Sequence, residues 1–252
     1  MDSFPHPGTG GLDLARLPVI DFHTHVLPEM DDGSDSVETS IGMLRKLRGS
    51  GVDLAVATSH YYRWDEDIDS FLERRSEAIG KLRPHMDASC SGIVPAAEVA
   101  FYFGIEEDPK LGGLCVGDTK ALLVEMPFAP WGTYEMNALS SLCFGRGFAV
   151  ILAHYERFEE YQKNNRIYEE VLRLPLTVQI NARSLLTGRG AKKWLRMFEE
   201  GRAHLIGSDC HNLTTRPPNL AEARQILRQK AGEEAVRKTD RRAEALLLGE
   251  KP

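Results

Sequence analysis

The chain has 252 residues, a length typical of one large α/β domain or two small ones. Its formal net charge of −6 and the lack of a dense basic run argue against a nucleic acid partner. No apolar stretch approaches the length that spans a bilayer, which argues against membrane insertion.

The N-terminal residues and the cysteines both favour a cytoplasmic protein. Residues 1–17 are rich in glycine and proline and contain no apolar signal-peptide core, so we expect a flexible lead-in followed by a single domain over residues 18–252. The four cysteines lack CxxC spacing, which is typical of ordinary thiols in a reducing compartment. They are Cys90, Cys115, Cys143 and Cys210.

Short apolar runs alternate with segments of helical periodicity along the rest of the chain. Strands are predicted at residues 19–25, 54–57, 93–97, 121–124, 148–153, 176–180 and 203–206. Helices are predicted at residues 37–48, 65–83, 134–143, 165–173, 191–200, 219–229 and 233–248. This alternation predicts a parallel α/β barrel, closed or nearly closed, in which polar residues at the carboxyl ends of the strands form the site.

Histidines and carboxylates follow almost every predicted strand. His23 and His25 end the first strand, and side chains two residues apart on a strand share a face, so both imidazoles can reach one divalent ion. Asp209 and His211 repeat this spacing after the last strand. The alternative for His23 and His25 is a pair of unrelated surface histidines, and the alternative for His60 or His154 taken alone is a hydrogen-bonded side chain at the start of a loop.

The remaining candidates enlarge the predicted cluster beyond what one ion needs. They are His60, Glu98 and His154 at strand ends, with Asp32 and Glu125 as further oxygen donors. So many mixed nitrogen and oxygen ligands suit two or three Mn²⁺, Fe or Zn²⁺ ions that share a bridging carboxylate, for which Glu98 is the natural choice. The spacing alone leaves open whether Asp31 or Asp32 is the ligand.

Eight short motifs occur in the order found in the PHP (polymerase and histidinol phosphatase) superfamily. They are HTHVLP at 23–28, DDG at 31–33, TSH at 58–60, AE at 97–98, LVEMP at 123–127, HYER at 154–157, QIN at 179–181 and GSDCHN at 207–212. More narrowly, residues 19–248 resemble the bacterial manganese-dependent tyrosine-protein phosphatases of the CpsB/YwqE type, which are associated with capsule and exopolysaccharide biosynthesis.

The resemblance implies a fold, an activity and a set of site residues. The fold is a distorted (β/α)₇ barrel of the PHP type with a trinuclear metal centre, and Mn²⁺ is the expected ion. The activity is hydrolysis of phosphotyrosine on the tail of a partner tyrosine kinase. Arg157 and Arg216 would hold the phosphate. The metal ligands would be His23, His25, Asp32, His60, Glu98, Glu125, His154, Asp209 and His211.

Two positions depart from the family pattern. Tyr155 follows the strand-end His154 where the family usually has proline, and Tyr61 follows His60 where a second histidine is common. The metal histidines are retained at both places, so we expect the chemistry to be unchanged. The departures bear instead on the substrate preference and on the shape of the rim.

The expected reaction follows from the chemistry of a phosphate monoester. Two metal ions can bind phosphate oxygens and lower the pKa of a bridging water, whose hydroxide then attacks phosphorus in line with the leaving phenolate. An arginine fork neutralises charge on the phosphate better than a lysine does. Arg157 and Arg216 follow the ligands His154 and His211 closely enough to serve, and surface salt bridges are their alternative role.

Two other patterns near the site have ordinary explanations. Cys210 and Arg216 have the C-x5-R spacing of cysteine-dependent phosphatases, but no glycine lies between them to turn backbone N–H groups around a phosphate, so we predict a packed thiol. Tyr61, Tyr62 and Trp64 would form an aromatic wall for a phosphotyrosine ring, or would pack as loop residues against the barrel.

Rival functions share parts of this pattern. A small-molecule enzyme such as histidinol phosphatase would have the same metal site but usually has a longer chain. A metal-dependent amidohydrolase also uses His-x-His but typically needs a bridging lysine, and no lysine ends a predicted strand. A non-catalytic regulator that docks on a kinase would have degraded ligand positions, and none is degraded here. The sequence leaves open both the native metal and a homo-oligomeric state.

Overall fold

The computed structural model describes residues 17–187 and 190–250. Nearly all of the predicted lead-in, residues 1–17, therefore lies outside the described residues. Nine strands lie within the described ranges: β1 (Ile20–Thr24), β2 (Leu54–Ala57), β3 (His60–Tyr61), β4 (Gly92–Pro95), β5 (Glu98–Ala100), β6 (Ala121–Glu125), β7 (Ala149–Leu152), β8 (Thr177–Asn181) and β9 (Leu205–Gly207).

Helices alternate with these strands, as the periodicity predicts. Within the same ranges the α-helices are α1 (Val37–Gly49), α2 (Ile68–Leu82), α3 (Thr133–Ser140), α4 (Arg166–Glu170), α5 (Ala182–Leu186), α6 (Ala191–Glu199), α7 (Leu220–Ala231) and α8 (Glu233–Leu247). Short 3₁₀ turns follow α2 and flank α4, and a π turn follows α3, so these helices are shorter than their periodic segments.

The paired strands are parallel and follow chain order. β1, β2 and β4 form one sheet, and β3 and β5 to β9 form a second one. β3 continues the line of β2, and β5 continues that of β4, because the N–H groups of Ala96 and Glu98 donate to the carbonyls of Ala57 (2.9 Å) and Ser59 (3.0 Å) across the break. The nine strands therefore occupy seven positions.

Hydrogen bonds between the first and last strands close the barrel. Thr24 and Cys210 form a parallel bridge, and the N–H of His25 donates to the carbonyl of Cys210 at 2.9 Å. The N–H of Asp209 donates to the carbonyl of His23 at 2.8 Å. The predicted barrel of seven β/α units is confirmed.

The element boundaries differ from the predicted ones in three places. The strand predicted at 93–97 ends at Pro95 as β4, and a second strand, β5, begins at Glu98, so Glu98 starts a strand instead of following one. The second helix starts at Ile68, later than predicted, because the Asp67 carboxylate caps it by accepting the N–H of Ser70 at 2.9 Å. The short helix α5 follows β8 directly and was not predicted.

The apolar core leaves only one end of the barrel for a site. Phe22 and Leu123 belong to the cluster that fills the barrel, together with Ala243 of α8. Ala243 lies beside Ile20 and Leu205, which begin β1 and β9, so α8 covers the amino ends of the strands. The carboxyl ends remain open. Among the described residues, no helix has the length and apolar character required to cross a membrane.

Candidate metal centre

The nine side chains predicted as metal ligands lie together at the carboxyl ends of the strands. They form four overlapping groups, and within each group the ligand atoms lie within 4.8 Å of one another. The groups are His25 with Asp32, His60 and His211; His23 with His25 and Asp209; His23 with Glu98 and His154; and His60 with Glu98 and Glu125.

Glu98 lies at the centre of this cluster, and its side chain is completely buried. One carboxylate oxygen, Oε1, lies 2.8 Å from Nε2 of His154, and the other, Oε2, lies 3.0 Å from Nε2 of His23. Oε2 also lies 3.3 Å from Nε2 of His25 and from Nδ1 of His60. This carboxylate is therefore placed to bridge ions that the surrounding imidazoles would bind.

The structure distinguishes the roles of Asp31 and Asp32. Asp31 Oδ2 lies 2.8 Å from Nδ1 of His25 and accepts the N–H of His60 at 2.7 Å, so it orients the imidazole and leaves Nε2 of His25 for a metal. Asp32 instead points into the cluster, with Oδ1 3.2 Å from Nε2 of His211. The geometry thus favours Asp32 as the ligand and Asp31 as its supporting carboxylate.

The electrostatics of the cluster suit a bound cation. Burial alone would raise the pKa of the Glu98 carboxyl, but the imidazoles of His23 and His60 hold it well below its usual range. Burial and the nearby His25 lower the pKa of His211 to about 4, which favours the neutral, ligating imidazole. His211 Nε2 is buried and forms no hydrogen bond among the described residues, since its 3.2 Å contact with Asp32 Oδ1 lacks hydrogen-bond geometry. Such a nitrogen fits a metal ion, so the residues present fit the implied centre.

Two of the candidate ligands have unusual backbone conformations. His154 has φ of 26° and Asp209 has φ of 53°, in the left-handed region that residues other than glycine rarely adopt. Each residue lies two positions after the end of a strand, where the chain must turn to aim its side chain back into the cluster. Strained positions of this kind concentrate at functional sites.

The two predicted phosphate-binding arginines lie at the open edge of the cluster. Arg216 Nη2 lies 2.8 Å from Asp209 Oδ1, and its Nη1 lies 3.5 Å from Asp32 Oδ2. Arg157 lies farther out, with Nη1 3.8 Å from Asp209 Oδ2 and its guanidinium over the ring of Phe128. Both side chains are partly exposed, so an incoming anion could reach them.

A buried amide pair on β8 supports three of the candidate ligands, and the sequence analysis did not assign it a role. Gln179 Oε1 lies 3.0 Å from Nδ1 of His23 and accepts the backbone N–H of His154 at 2.7 Å. Gln179 Nε2 donates to Asn181, whose own Nδ2 donates to Asp209 Oδ2 at 2.8 Å. The position of the polar Gln179 within an otherwise apolar strand is the sequence feature that could have indicated this supporting role.

We expect Gln179→Met to weaken Mn²⁺ binding by about 10- to 100-fold, because His23 would lose the acceptor that sets its ring orientation. Titration calorimetry of metal-stripped protein measures the affinity. Thr177→Val is the matched control, because Thr177 is buried on the same strand and its hydroxyl has no hydrogen-bond partner among the described residues. Equal affinities for the Gln179 variant and the control would contradict the supporting role.

The two departures from the family pattern lie in the core and not at the rim. The rings of Tyr155 and Tyr168 stack at 4.3 Å, and each hydroxyl donates to the other residue's carbonyl, at 2.7 and 3.1 Å. Tyr61 is fully buried and packs against Phe71. Of the three residues considered for an aromatic wall, Tyr62 alone stacks directly on a candidate ligand, His60, at 5.1 Å.

Cys210 is a packed thiol, as predicted. Its side chain is fully buried, and this burial raises its pKa to about 12, so a thiolate nucleophile is absent at neutral pH. Arg216, the arginine of the C-x5-R spacing, is directed at the carboxylate of Asp209. The cysteine-dependent mechanism is therefore not supported by this geometry.

We accordingly expect Cys210→Ser to retain phosphatase activity within about threefold of wild type, since a thiol that is not ionised cannot attack phosphorus. Cys210→Ala tests the same point if the serine hydroxyl disturbs the buried site. Steady-state hydrolysis of an aryl phosphate is the measurement. Complete loss of activity in both variants, with metal binding intact, would return the nucleophile to Cys210.

The family model and the relatives found by sequence comparison give the same family. Residues 19–248 match the family model described as capsular polysaccharide synthesis, CpsB/CapC. The chain is 29% identical over 234 residues to the tyrosine-protein phosphatase YwqE of Bacillus subtilis, with 91% of each chain covered. It is 27% identical over 225 residues to the tyrosine-protein phosphatase CpsB of Streptococcus agalactiae serotype III, covering 86% of this chain and 92% of that protein.

Solved structures agree with the sequence comparison. Crystal structures of YwqE from Bacillus subtilis and CpsB from Streptococcus pneumoniae are described as unique metal-dependent tyrosine phosphatases. One of their chains superimposes with a TM-score of 0.81 at 27% identity, covering 92% of this chain and 96% of that one. A TatD-family hydrolase from Entamoeba histolytica, at 11% identity and a TM-score of 0.50, shares the fold alone.

Proposed function

The chain belongs to the capsular polysaccharide synthesis family CpsB/CapC, and we propose that it is a metal-dependent phosphatase that hydrolyses phosphotyrosine in a protein substrate. The relatives that cover most of its length are tyrosine-protein phosphatases, and those with solved structures are metal-dependent. The observation that carries the proposal is the convergence of nine imidazole and carboxylate side chains on one open rim, with two arginines at its edge.

The metal ligands proposed for this chain are the nine residues of the cluster, with Glu98 as the shared carboxylate. Divalent ions held there would polarise the phosphoryl oxygens and lower the pKa of a bound water. The protein's own part is to orient the imidazoles, because Asp31 holds Nδ1 of His25 and Gln179 holds Nδ1 of His23. We propose Mn²⁺ as the native ion, because mixed imidazole and carboxylate ligands suit Mn²⁺, Fe or Zn²⁺ and the chain resembles manganese enzymes.

Arg216 and Arg157 are the proposed phosphate-binding residues. Arg216 already spans carboxylates of two ligand groups, so its fork lies where phosphoryl oxygens would approach the cluster. Arg157 lies over the Phe128 ring, 5.0 Å from its centroid, which holds the guanidinium at the edge. Both would neutralise negative charge on the phosphate as the phenolate leaves.

The surroundings of the cluster suit an aromatic phosphate ester. The ring of Phe128 is stacked beside His154 at 6.2 Å and remains partly exposed, and Tyr161 packs against it. Tyr62 stacks on another candidate ligand, His60. A phosphotyrosine ring would contact either aromatic surface, whereas a phosphoserine side chain is too short to use them. We propose the tail of a cytoplasmic tyrosine kinase as the substrate.

The test measures hydrolysis of several substrates by metal-stripped protein, in the presence and in the absence of added Mn²⁺. We expect Mn²⁺ to restore hydrolysis of a phosphotyrosine peptide, and to restore little hydrolysis of a phosphoserine peptide or histidinol phosphate. Preference for histidinol phosphate would move the chain to the small-molecule phosphatases. Full activity after stripping would exclude the metal mechanism. Repeating the assay with Fe²⁺ and Zn²⁺ tests the identity of the ion.

A further inference from the structure

We propose that a groove beside the metal centre binds an extended segment of the protein substrate that carries an apolar side chain two or three positions from the phosphotyrosine. This inference rests on the proposed phosphatase function. The rim groove, as we call it, has a volume of about 690 Å³. Its lining includes Arg63, Trp64, Tyr102, Phe103 and Lys110.

A row of neighbouring aromatic rings connects the metal centre with Trp64 of the rim groove. Tyr62 stacks on the candidate ligand His60 with a centroid distance of 5.1 Å, and Trp64 lies 5.1 Å beyond Tyr62. Trp64 is therefore at most about 10 Å from the His60 ring. An extended chain rises about 3.3 Å per residue, so this distance corresponds to at most about three residues of an extended substrate segment.

Two large aromatic side chains of the rim groove are exposed to an unusual degree. Trp64 is 66% exposed and Phe103 is 87% exposed. Phe103 is nevertheless held in place, because its ring stacks on Tyr134 at 4.8 Å and the Tyr134 hydroxyl accepts the N–H of Gly104 at 2.6 Å. Exposed aromatic rings on a rigid support are typical of the anchor positions of protein interfaces.

The polar residues of the rim groove are mostly engaged in supporting its walls. Tyr102 donates its hydroxyl to Asp108 at 3.0 Å, Asp67 caps α2, and Lys110 pairs with Asp69. Arg63 forms no ion pair with any residue that the structure describes. The groove therefore combines the exposed rings of Trp64 and Phe103 with charged side chains, which fits a peptide whose backbone stays hydrated while an apolar side chain contacts the rings.

The experiment uses the full-length protein with added Mn²⁺ and phosphotyrosine peptides that carry leucine or serine at one position, two or three residues before or after the phosphotyrosine. We expect leucine at one of these positions to raise kcat/KM about tenfold, and Phe103→Ala or Trp64→Ala to remove that preference. Phe144→Ala is the matched control, because Phe144 is another exposed phenylalanine that does not line the groove. Fluorescence anisotropy of the same peptides measures binding independently of turnover.

The outcomes separate this proposal from the proposed function. p-Nitrophenyl phosphate has no flanking residues, so its hydrolysis tests the phosphatase activity and the leucine preference tests the groove. No leucine preference in the wild type, or a preference that persists in both groove variants, would overturn the proposal. A change of mass in sedimentation when Phe103 or Trp64 is replaced would also overturn it, because it would make a second copy of the chain the occupant.

Discussion

Replacing Glu98 by glutamine is expected to lower kcat/KM on a phosphotyrosine peptide by on the order of 10³-fold, a loss of about 4 kcal/mol of transition-state stabilisation. The reason is the position of this carboxylate, which lies within 3.3 Å of four imidazoles and is buried completely. Glutamine has nearly the same shape but a neutral amide, so it cannot bridge two cations. Elemental analysis should show fewer bound metal ions per chain.

The matched control for this prediction is Glu156→Gln. Glu156 is buried near the same rim, but its Oε1 accepts hydrogen bonds from the backbone N–H of Asn181 and the hydroxyl of Ser184 and belongs to no ligand group. Burial raises the pKa of Glu156 by disfavouring the charged carboxylate, and glutamine keeps the shape of the side chain without that charge. Comparable losses in both variants would indicate a general disturbance of the rim and would count against Glu98 as the bridging ligand.

Replacing Arg216 by lysine is expected to lower kcat by about 100-fold and to leave metal binding nearly unchanged. Lysine keeps the positive charge but lacks the planar guanidinium with which Arg216 contacts Asp209 and Asp32 together. The same guanidinium would pair with two phosphoryl oxygens, which a lysine ammonium cannot do in the same geometry. Loss of one preorganised donor to developing charge typically costs this much in an enzyme site.

The comparison that checks the role of Arg216 uses Arg202→Lys, an exposed arginine that pairs with Glu169 and Glu200 away from the rim. Separate measurement of kcat and KM, with a calorimetric titration of Mn²⁺, distinguishes phosphate binding from support of Asp209. A variant with weakened Mn²⁺ affinity and an unchanged kcat at saturating metal would show that Arg216 serves only as a partner of the Asp209 carboxylate.

The strand ends explain why so much of the candidate centre could be predicted. In a parallel barrel every strand delivers its carboxyl end to the same rim, so residues such as His60 and His154 are brought together by the topology alone. The alternation of apolar runs and helical segments specified that topology, and the fold is confirmed. The same argument could not choose between Asp31 and Asp32, because both follow β1 in a turn whose path depends on what it packs against.

The site residues and core contacts that the sequence did not predict depend on hydrogen bonds between residues far apart in the chain. Gln179 reaches His23 across 156 positions of the chain, and no local pattern specifies that pair. Tyr155, which departs from the family motif, likewise forms a core contact through its mutual hydrogen bonds with Tyr168, and the sequence motif does not specify that partner. A side chain's partner depends on the path of the intervening loops, and so on the packing of the whole barrel.

The sequence by itself therefore determined the barrel, the family and the set of side chains at the rim, because these depend on the periodicity of each strand and on short motifs. Only the tertiary structure decided which carboxylate faces the cluster, how Cys210 loses its reactivity by burial, and where Trp64 and Phe103 leave an exposed aromatic groove. Each of these depends on the burial and neighbours of a side chain, which are properties of the assembled fold.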